Sequence, residues 1–308
     1  MKKVLLAGGA GFVGSHLAEN LVKKGYEVTI VDDLSSGRFS NIESISGKIK
    51  FIESDVRELD FKGQADYVLN LASRASRNEW EKYPVEVALS NSEGSNNLIK
   101  IALQNHARYI FVSSSEIYGN AEVIPTPESY VGKVSTTGTR SPYDEGKRFG
   151  ESLAKAYERQ HGLDSVIVRL FNTYGPRMRG GDFYGRVIDR FVEQALSGKN
   201  LTVYGDGSQT RSFTYATDTA DAIACLMEHA KKGSVFNIGS GEETRIIDLA
   251  RSVIRLSGSV SEIEFMPLPE GDPERTSADT SAIKSMGWSP QIGLKEGLLM
   301  TIRYYRSR

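Results

Sequence analysis

Cysteine is nearly absent: the chain of 308 residues has one, Cys225, inside the apolar stretch Ala222-Ile223-Ala224-Cys225-Leu226-Met227. One thiol cannot close an intramolecular disulfide or build a multi-cysteine zinc site, and this usage suits a reducing cytoplasm. Histidine is scarce too. His16, His106, His161 and His229 are scattered without ligand spacing, so no metal site is expected. Neither sign of charge is in excess, with 38 Lys+Arg against 39 Asp+Glu, which argues against a mainly electrostatic binder of nucleic acid or of a membrane surface. No run approaches the roughly 18 uncharged apolar residues that cross a bilayer. Lys2-Lys3 before Val4-Leu5-Leu6-Ala7 superficially suggests a signal peptide, but glycines interrupt the run and no small-residue cleavage site is evident; the first strand of a domain is the better reading. Internal repeats and low-complexity tracts are missing. What remains is a folded, soluble chain, 39% hydrophobic with 9% aromatics and long enough for about two domains.

Short apolar runs alternate with helix-length amphipathic stretches through the first half. The runs are Val4 to Ala7, Val28 to Val31, Ile49 to Ile52, Tyr67 to Leu71, Tyr109 to Val112 and Ser165 to Leu170. Several are rich in β-branched residues and apolar on consecutive positions, as strands covered on both faces are. Between them, Phe12 to Lys24, Val85 to Gln104 and Pro142 to Gln160 have the length of crossover helices. This is the pattern of an α/β chain, a Rossmann-like doubly wound parallel sheet, over residues 1–171. Beyond residue 171 glycine and proline cluster in long loops, which predicts a smaller C-terminal domain over 172–308. A helix at Thr217 to Ala230 makes 214–233 a return segment to the first domain.

Gly8, Gly11 and Gly14 follow the first strand and open the first helix, where small residues let the backbone approach a pyrophosphate at a helix N-terminus. The second strand ends in Asp32, placed to accept hydrogen bonds from ribose hydroxyls and to repel a 2'-phosphate, which favours NAD over NADP.

Ser141-Pro142-Tyr143-Asp144-Glu145-Gly146-Lys147 reads as a helix start, with Ser141 as N-cap and Pro142 in the first helical position. Tyr143 and Lys147 then share one face. An ammonium about 5 Å from a phenolate, at an effective dielectric of about 20, lowers the phenol's pKa by about two units. Tyrosine then becomes a usable base. An ordinary surface pair has the same spacing, but here a strand ending Phe111-Val112-Ser113-Ser114-Ser115-Glu116 lies upstream and offers hydroxyls to hold a substrate oxygen.

Taken together, these residues resemble the extended short-chain dehydrogenase/reductases that act on nucleotide sugars. The resemblance also rests on Phe171-Asn172-Thr173-Tyr174-Gly175-Pro176-Arg177, Val203-Tyr204-Gly205, Gln209-Thr210-Arg211 and Gly271-Asp272-Pro273 to Arg275. Within that family Tyr143 to Arg148, Ser115 to Gly119 and Asn172 to Met178 look most like UDP-glucuronate decarboxylases. The resemblance implies an NAD enzyme that oxidises the sugar at C4, loses carbon dioxide from the 4-keto acid to give UDP-xylose, and regenerates the cofactor in each turnover. It implies Tyr143 as the base and a cofactor contact, Lys147 as its partner and a ribose contact, Ser114 on the C4 oxygen and Glu116 near C5, with Phe12, Val13, Asp33, Ser36, Gly37, Asp55, Val56, Leu71, Ala72 and Ser73 as further cofactor contacts. Asn172, Arg186, Val187, Tyr204, Gln209, Arg211 and Arg275 are the implied contacts to the UDP-sugar, and a homodimer is the implied assembly.

Two segments depart from the decarboxylase pattern. Ala72-Ser73-Arg74-Ala75-Ser76-Arg77 stands where those enzymes usually read Ala-Ser-Pro-Ala-Ser-Pro, and Ser135-Thr136-Thr137-Gly138-Thr139-Arg140 replaces Asn-Pro-Ile-Gly-Pro-Arg. A 4-epimerase and a 4,6-dehydratase share the 4-keto step and are the alternatives. A non-catalytic NAD-binding regulatory protein is a further one, opposed by the retention of Ser114, Tyr143 and Lys147.

Overall fold

The computed structural model describes residues 1–178, 187–268 and 273–307. Its chain divides into two compact units. The first comprises Met1–Ile117, Val134–Leu170 and Ala220–Phe236; the second comprises Tyr118–Lys133, Phe171–Thr219 and Asn237–Arg308.

The apolar runs of the sequence become strands β1 (Lys3–Ala7), β2 (Glu27–Asp32), β3 (Ile49–Glu53), β4 (Tyr67–Asn70), β5 (Arg108–Ser114) and β6 (Ser165–Leu170). All five pairings among them are parallel. With a seventh strand, Val235–Ile238, the sheet runs in the order Val235–Ile238, β6, β5, β4, β1, β2, β3. The order reverses between β1 and β4, and in sheets of this kind ligands bind at the carboxyl ends of the strands flanking such a reversal. This is the Rossmann-like doubly wound sheet that the alternation of runs predicts. Leu5, Val31, Val68, Tyr109, Phe111 and Ile167 are fully or almost fully buried between sheet and helices, which explains why these strands read as unbroken apolar runs.

Helix α1 (Phe12–Lys23) follows β1 directly. The single helix expected over Val85 to Gln104 forms in three pieces: α3 (Pro84–Leu89), a π-helical turn (Ser90–Gly94) and α4 (Ser95–Gln104). Side chains in the turn bond back to the preceding carbonyls. Ser90 Oγ donates to Val87 O at 3.2 Å, Asn91 Nδ2 to the same oxygen at 2.8 Å, and Ser92 Oγ to Ala88 O at 2.8 Å. Such bonds compete with the regular ladder and widen it. A short helix that the sequence pattern did not announce, α2 (Arg77–Lys82), precedes α3.

Helix α5 (Ser141–His161) carries the Tyr143/Lys147 pair. Pro142 lies in its first turn, but Arg140 occupies the cap position and Ser141 is already helical, so Ser141 is not the N-cap. Glycines bring this helix close to its neighbours. A Cβ on Gly150 would stand 2.3 Å from Phe111 Cζ, and one on Gly146 would stand 3.0 Å from Asn91 Cβ.

In the second unit, Leu201–Tyr204 pairs in parallel with Ile263–Met266. Thr210–Ser212 lies between Glu243–Arg245 and Arg275–Thr276 in a small sheet. Helices Val187–Leu196, Ile246–Ser257 and Leu294–Arg306 bury Phe191, Val192, Leu249, Val253, Leu298 and Ile302. Among the described residues no helix is long and apolar enough to cross a membrane.

Candidate active site

The turn from β1 into α1 is tight because its glycines have no room for a side chain. A Cβ on Gly14 would lie 2.0 Å from Gly8 O, and Gly8, at φ +78°, would bring one within 2.7 Å of the Leu71 backbone. No side chain caps α1 and no acidic residue lies in its first turn, so the positive end of the helix is left for an anion. Asp32, buried at the end of β2, accepts hydrogen bonds from Ala10 N at 2.9 Å and Leu34 N at 3.0 Å. Burial pushes its carboxyl above the usual range, and the N–H groups of Leu34 and Ala10 oppose the shift. Asp32 therefore also holds the glycine turn in shape, and its two oxygens keep acceptor capacity for ribose hydroxyls.

These residues open onto a cleft of about 610 Å³, solvent included. Of the expected cofactor residues, Gly8, Gly11, Asp32, Asp33, Ser36, Asp55, Val56, Leu71, Ala72 and Ser73 line it. Gly37 packs instead against the Asp32 carboxylate, where a Cβ would come within 2.7 Å of Oδ1. Phe12, Val13 and Gly14 form the first turn of α1. Val31, Ser35, Ser54, Arg57, Arg74, Glu86 and Ser90 also line the cleft and were not among the expected cofactor contacts. Gly14→Ala is expected to displace the turn and weaken NAD binding by about ten-fold or more at unchanged fold, measured by calorimetric titration, because the clash is with backbone and no side chain can yield.

The second group of residues meets at the end of β5 and the start of α5. Tyr143 and Lys147 are both buried. Lys147 Nζ donates to Val112 O at 2.9 Å and lies 5.8 Å from the centre of the Tyr143 ring. Burial pulls the ammonium down to about 7, and the Glu151 carboxylate opposes that shift. Glu151 is itself tied to Arg169 by a two-pronged ion pair at 2.7 and 2.9 Å. Burial thus works against the charge that acidifies the phenol. A lysine whose folded pKa lies below its unfolded value of 10.5 penalises folding fully below about 7 and not at all above 10.5. Stability of the unliganded protein is therefore expected to rise with pH across that window, and Lys147→Met should flatten the rise in paired urea titrations at the two ends.

Ser114 closes β5, and its Oγ accepts from Glu116 N at 3.2 Å. The Glu116 carboxylate is ion-paired with Arg140, whose Nε also stands 3.6 Å from Asp144 Oδ2. Burial pushes Asp144 up to about 6 against the pull of Arg140. The Tyr143 ring stacks on Trp80 of α2, centroids 4.6 Å apart and planes 19° from parallel. Sequence reasoning passed over the pairing of Arg140 with Glu116 and of Trp80 with Tyr143 because these partners are distant along the chain.

In the second unit, Asn172 Nδ2 donates to Ser212 O at 3.3 Å, and Gln209 Nε2 to Tyr204 O at 2.8 Å. The Tyr204 hydroxyl and Gln209 Oε1 are buried with no hydrogen-bond partner among the described residues. Arg275 is paired with Glu243 at 2.6 and 3.0 Å, and Arg211 donates to Thr210 O at 2.8 Å. Val187 begins its helix; Arg186, and Gly271-Asp272 of the family motif, lie outside the described residues.

Comparison with known proteins agrees with this geometry. The model of the NAD dependent epimerase/dehydratase family matches residues 4–239. UDP-glucuronic acid decarboxylase 1 of Xenopus tropicalis is 41% identical over 308 residues, 99% of this chain and 72% of that protein. The crystal structure of UDP-glucose 4-epimerase from Thermotoga maritima with UDP-glucose superposes with a TM-score of 0.91 at 31% identity, covering 99% of both chains. A dTDP-glucose 4,6-dehydratase of Streptomyces venezuelae with NAD bound gives 0.90 at 27% identity, covering 99% of this chain and 97% of the other. On the glycine cradle, on Asp32 and on this match, the chain belongs to the NAD dependent epimerase/dehydratase family.

Proposed function

We propose that the protein is an NAD-dependent decarboxylase that converts UDP-glucuronate to UDP-xylose through a 4-keto intermediate. One observation carries the reading. Lys147 lies 5.8 Å from the centre of the Tyr143 ring and bonds to Val112 O on the strand that ends in Ser114, and Glu116, whose N–H donates to Ser114 Oγ, is paired with Arg140, in a chain 41% identical over its length to a UDP-glucuronic acid decarboxylase.

Gly8, Gly11, Asp32 and the cleft behind them fit NAD, which when bound supplies the two-electron oxidation and later reduction of the sugar at C4. Tyr143 Oη takes the proton of the C4 hydroxyl, and Ser114 Oγ holds the C4 oxygen by a hydrogen bond. Lys147 favours the phenolate whenever it is charged, and its bond to Val112 O fixes where that charge sits. The C6 carboxylate of the resulting 4-keto acid is β to the ketone. Its C5–C6 bond breaks to release carbon dioxide, and the electron pair moves into the C4 carbonyl as an enolate that Ser114 and Tyr143 stabilise through hydrogen bonds. Glu116 then serves protonation at C5, directly or through a water. Asn172, Val187, Tyr204, Gln209, Arg211 and Arg275, with Arg186, are our proposed contacts to the nucleotide sugar, with arginines matched to diphosphate or carboxylate. In this division of labour residues 1–171 serve the cofactor and residues 172–308 mainly the sugar nucleotide.

A UDP-sugar 4-epimerase is the second reading, favoured by the close superposition on the Thermotoga maritima enzyme. Incubation with NAD and UDP-glucuronate, then with UDP-glucose and UDP-galactose, separates the two by mass and NMR. Loss of carbon dioxide supports the first reading, and unchanged mass with inverted C4 replaces it by the second. A homodimer in the cytoplasm completes the proposal. Val85 on α3 and Phe149 on α5 are exposed apolar side chains on helices that pack together, and the single cysteine suits a reducing compartment. Sedimentation as a monomer at micromolar concentration would remove the dimer.

A further inference from the structure

The chain has two tryptophans, and one of them is spent on the ring of the proposed base. Trp80 is 8% exposed and Tyr143 6%; with Val87, which is fully buried, they form an apolar cluster separate from the main core. The seat of the indole is fixed from several directions. Its Nε1 donates to Arg74 O at 2.9 Å. The Arg74 guanidinium lies 4.7 Å from the Tyr83 ring centre and binds the buried Glu79 carboxylate at 2.7 Å. Ser76 caps α2 by accepting from Glu79 N. The Arg140 guanidinium that binds Glu116 also stands 5.7 Å from the centre of the same indole, within cation–π reach.

Two elements thus converge on Trp80: the phenol assigned to C4 and the arginine that holds the carboxylate assigned to C5. A tyrosine ring that is buried but flanked only by flexible side chains can rock about its Cα–Cβ bond, and displacement of a reacting oxygen by about 1 Å costs up to a hundred-fold in rate. A stacked indole that is itself bonded at its nitrogen removes that freedom. We infer that Trp80 is a positioning residue of this active site, holding the Tyr143 phenol and, through Arg140, Glu116 at the geometry the reaction needs. The arginine at position 74, where the decarboxylase pattern has proline, then acquires a purpose: it anchors the helix that carries the indole. The inference rests on the reading of Tyr143 as the proton acceptor.

The test combines kinetics with a resonance that reports the ring directly. In protein labelled with 3-fluorotyrosine, the Tyr143 signal is identified by its loss in Tyr143→Phe. Trp80→Leu is expected to shift that signal, because the ring current of the indole is gone, and to lower kcat by about ten-fold or more while KM and NAD affinity stay within about three-fold. Trp80→Phe, which keeps a flat ring, should recover most of kcat and part of the shift. An unmoved fluorine signal, or kcat in Trp80→Leu within about two-fold of wild type, overturns the inference. If Trp80→Leu does not fold, Trp80→Phe decides by the same signal: no change in its position counts against the stack. Full activity in Tyr143→Phe would instead sink the functional reading, and the fluorine shift would still stand or fall on its own.

Discussion

Tyr143→Phe is expected to reduce turnover of UDP-glucuronate by about a thousand-fold, about 4 kcal/mol of barrier, with NAD affinity within about two-fold of wild type. The substitution removes one oxygen. The ring that stacks on Trp80 remains, so the cluster with Val87 keeps its packing, and the residues lining the nucleotide cleft do not include Tyr143. What is lost is the acceptor for the C4 proton. Without it the oxidation must release its proton to water or to Ser114, whose hydroxyl is a far weaker base at neutral pH. Single-turnover absorbance of the reduced cofactor, read with bound NAD, isolates this first step from later ones. A burst at the wild-type rate would take Tyr143 out of proton transfer and leave the mechanism without a base.

Legibility in the sequence followed the range of the interactions. Gly8, Gly11, Gly14 and Asp32 were readable because their work is local: a turn with no room for a Cβ, and a carboxylate that closes back on Ala10 and Leu34. Strands β1, β2, β4, β5 and β6 were readable because burial on both faces writes mostly apolar runs, and the edge strand β3, only partly buried, because three of its first four residues are apolar. The strand Val235–Ile238 was not, because Asn237 interrupts it; this side chain is buried, accepting from the Tyr118 hydroxyl at 2.7 Å and donating to Thr126 O at 2.9 Å. Polar groups satisfied by distant partners look like loop residues until those partners are known. The same holds for the site. Tyr143 and Lys147 are one helical turn apart and visible as a pair, whereas Trp80, Arg140 and Glu116 come from three separate segments. Sequence also carries the charge of Lys147 without its burial, and burial is what pulls that group down to about 7.

Glu116→Gln carries the second large effect, and its expected signature is a change of rate-limiting step. The amide keeps the size of the side chain and the hydrogen bond from its backbone N–H to Ser114 Oγ, so the hydroxyl proposed to hold the C4 oxygen stays in place. Arg140 loses its carboxylate partner but retains Asp144, whose Oδ2 lies 3.6 Å from its Nε. The fold and the oxidation step should therefore survive. An amide cannot deliver or accept the proton at C5, so net formation of UDP-xylose should fall by about a hundred-fold. Oxidation would then outrun protonation, and reduced cofactor should accumulate to a large fraction of the enzyme present, visible in the near ultraviolet within the first turnover. Acidification should not rescue the variant, since the group that titrates has been removed. Loss of substrate affinity with no accumulated reduced cofactor would show instead that Glu116 serves binding, and the C5 role would have to pass to another residue.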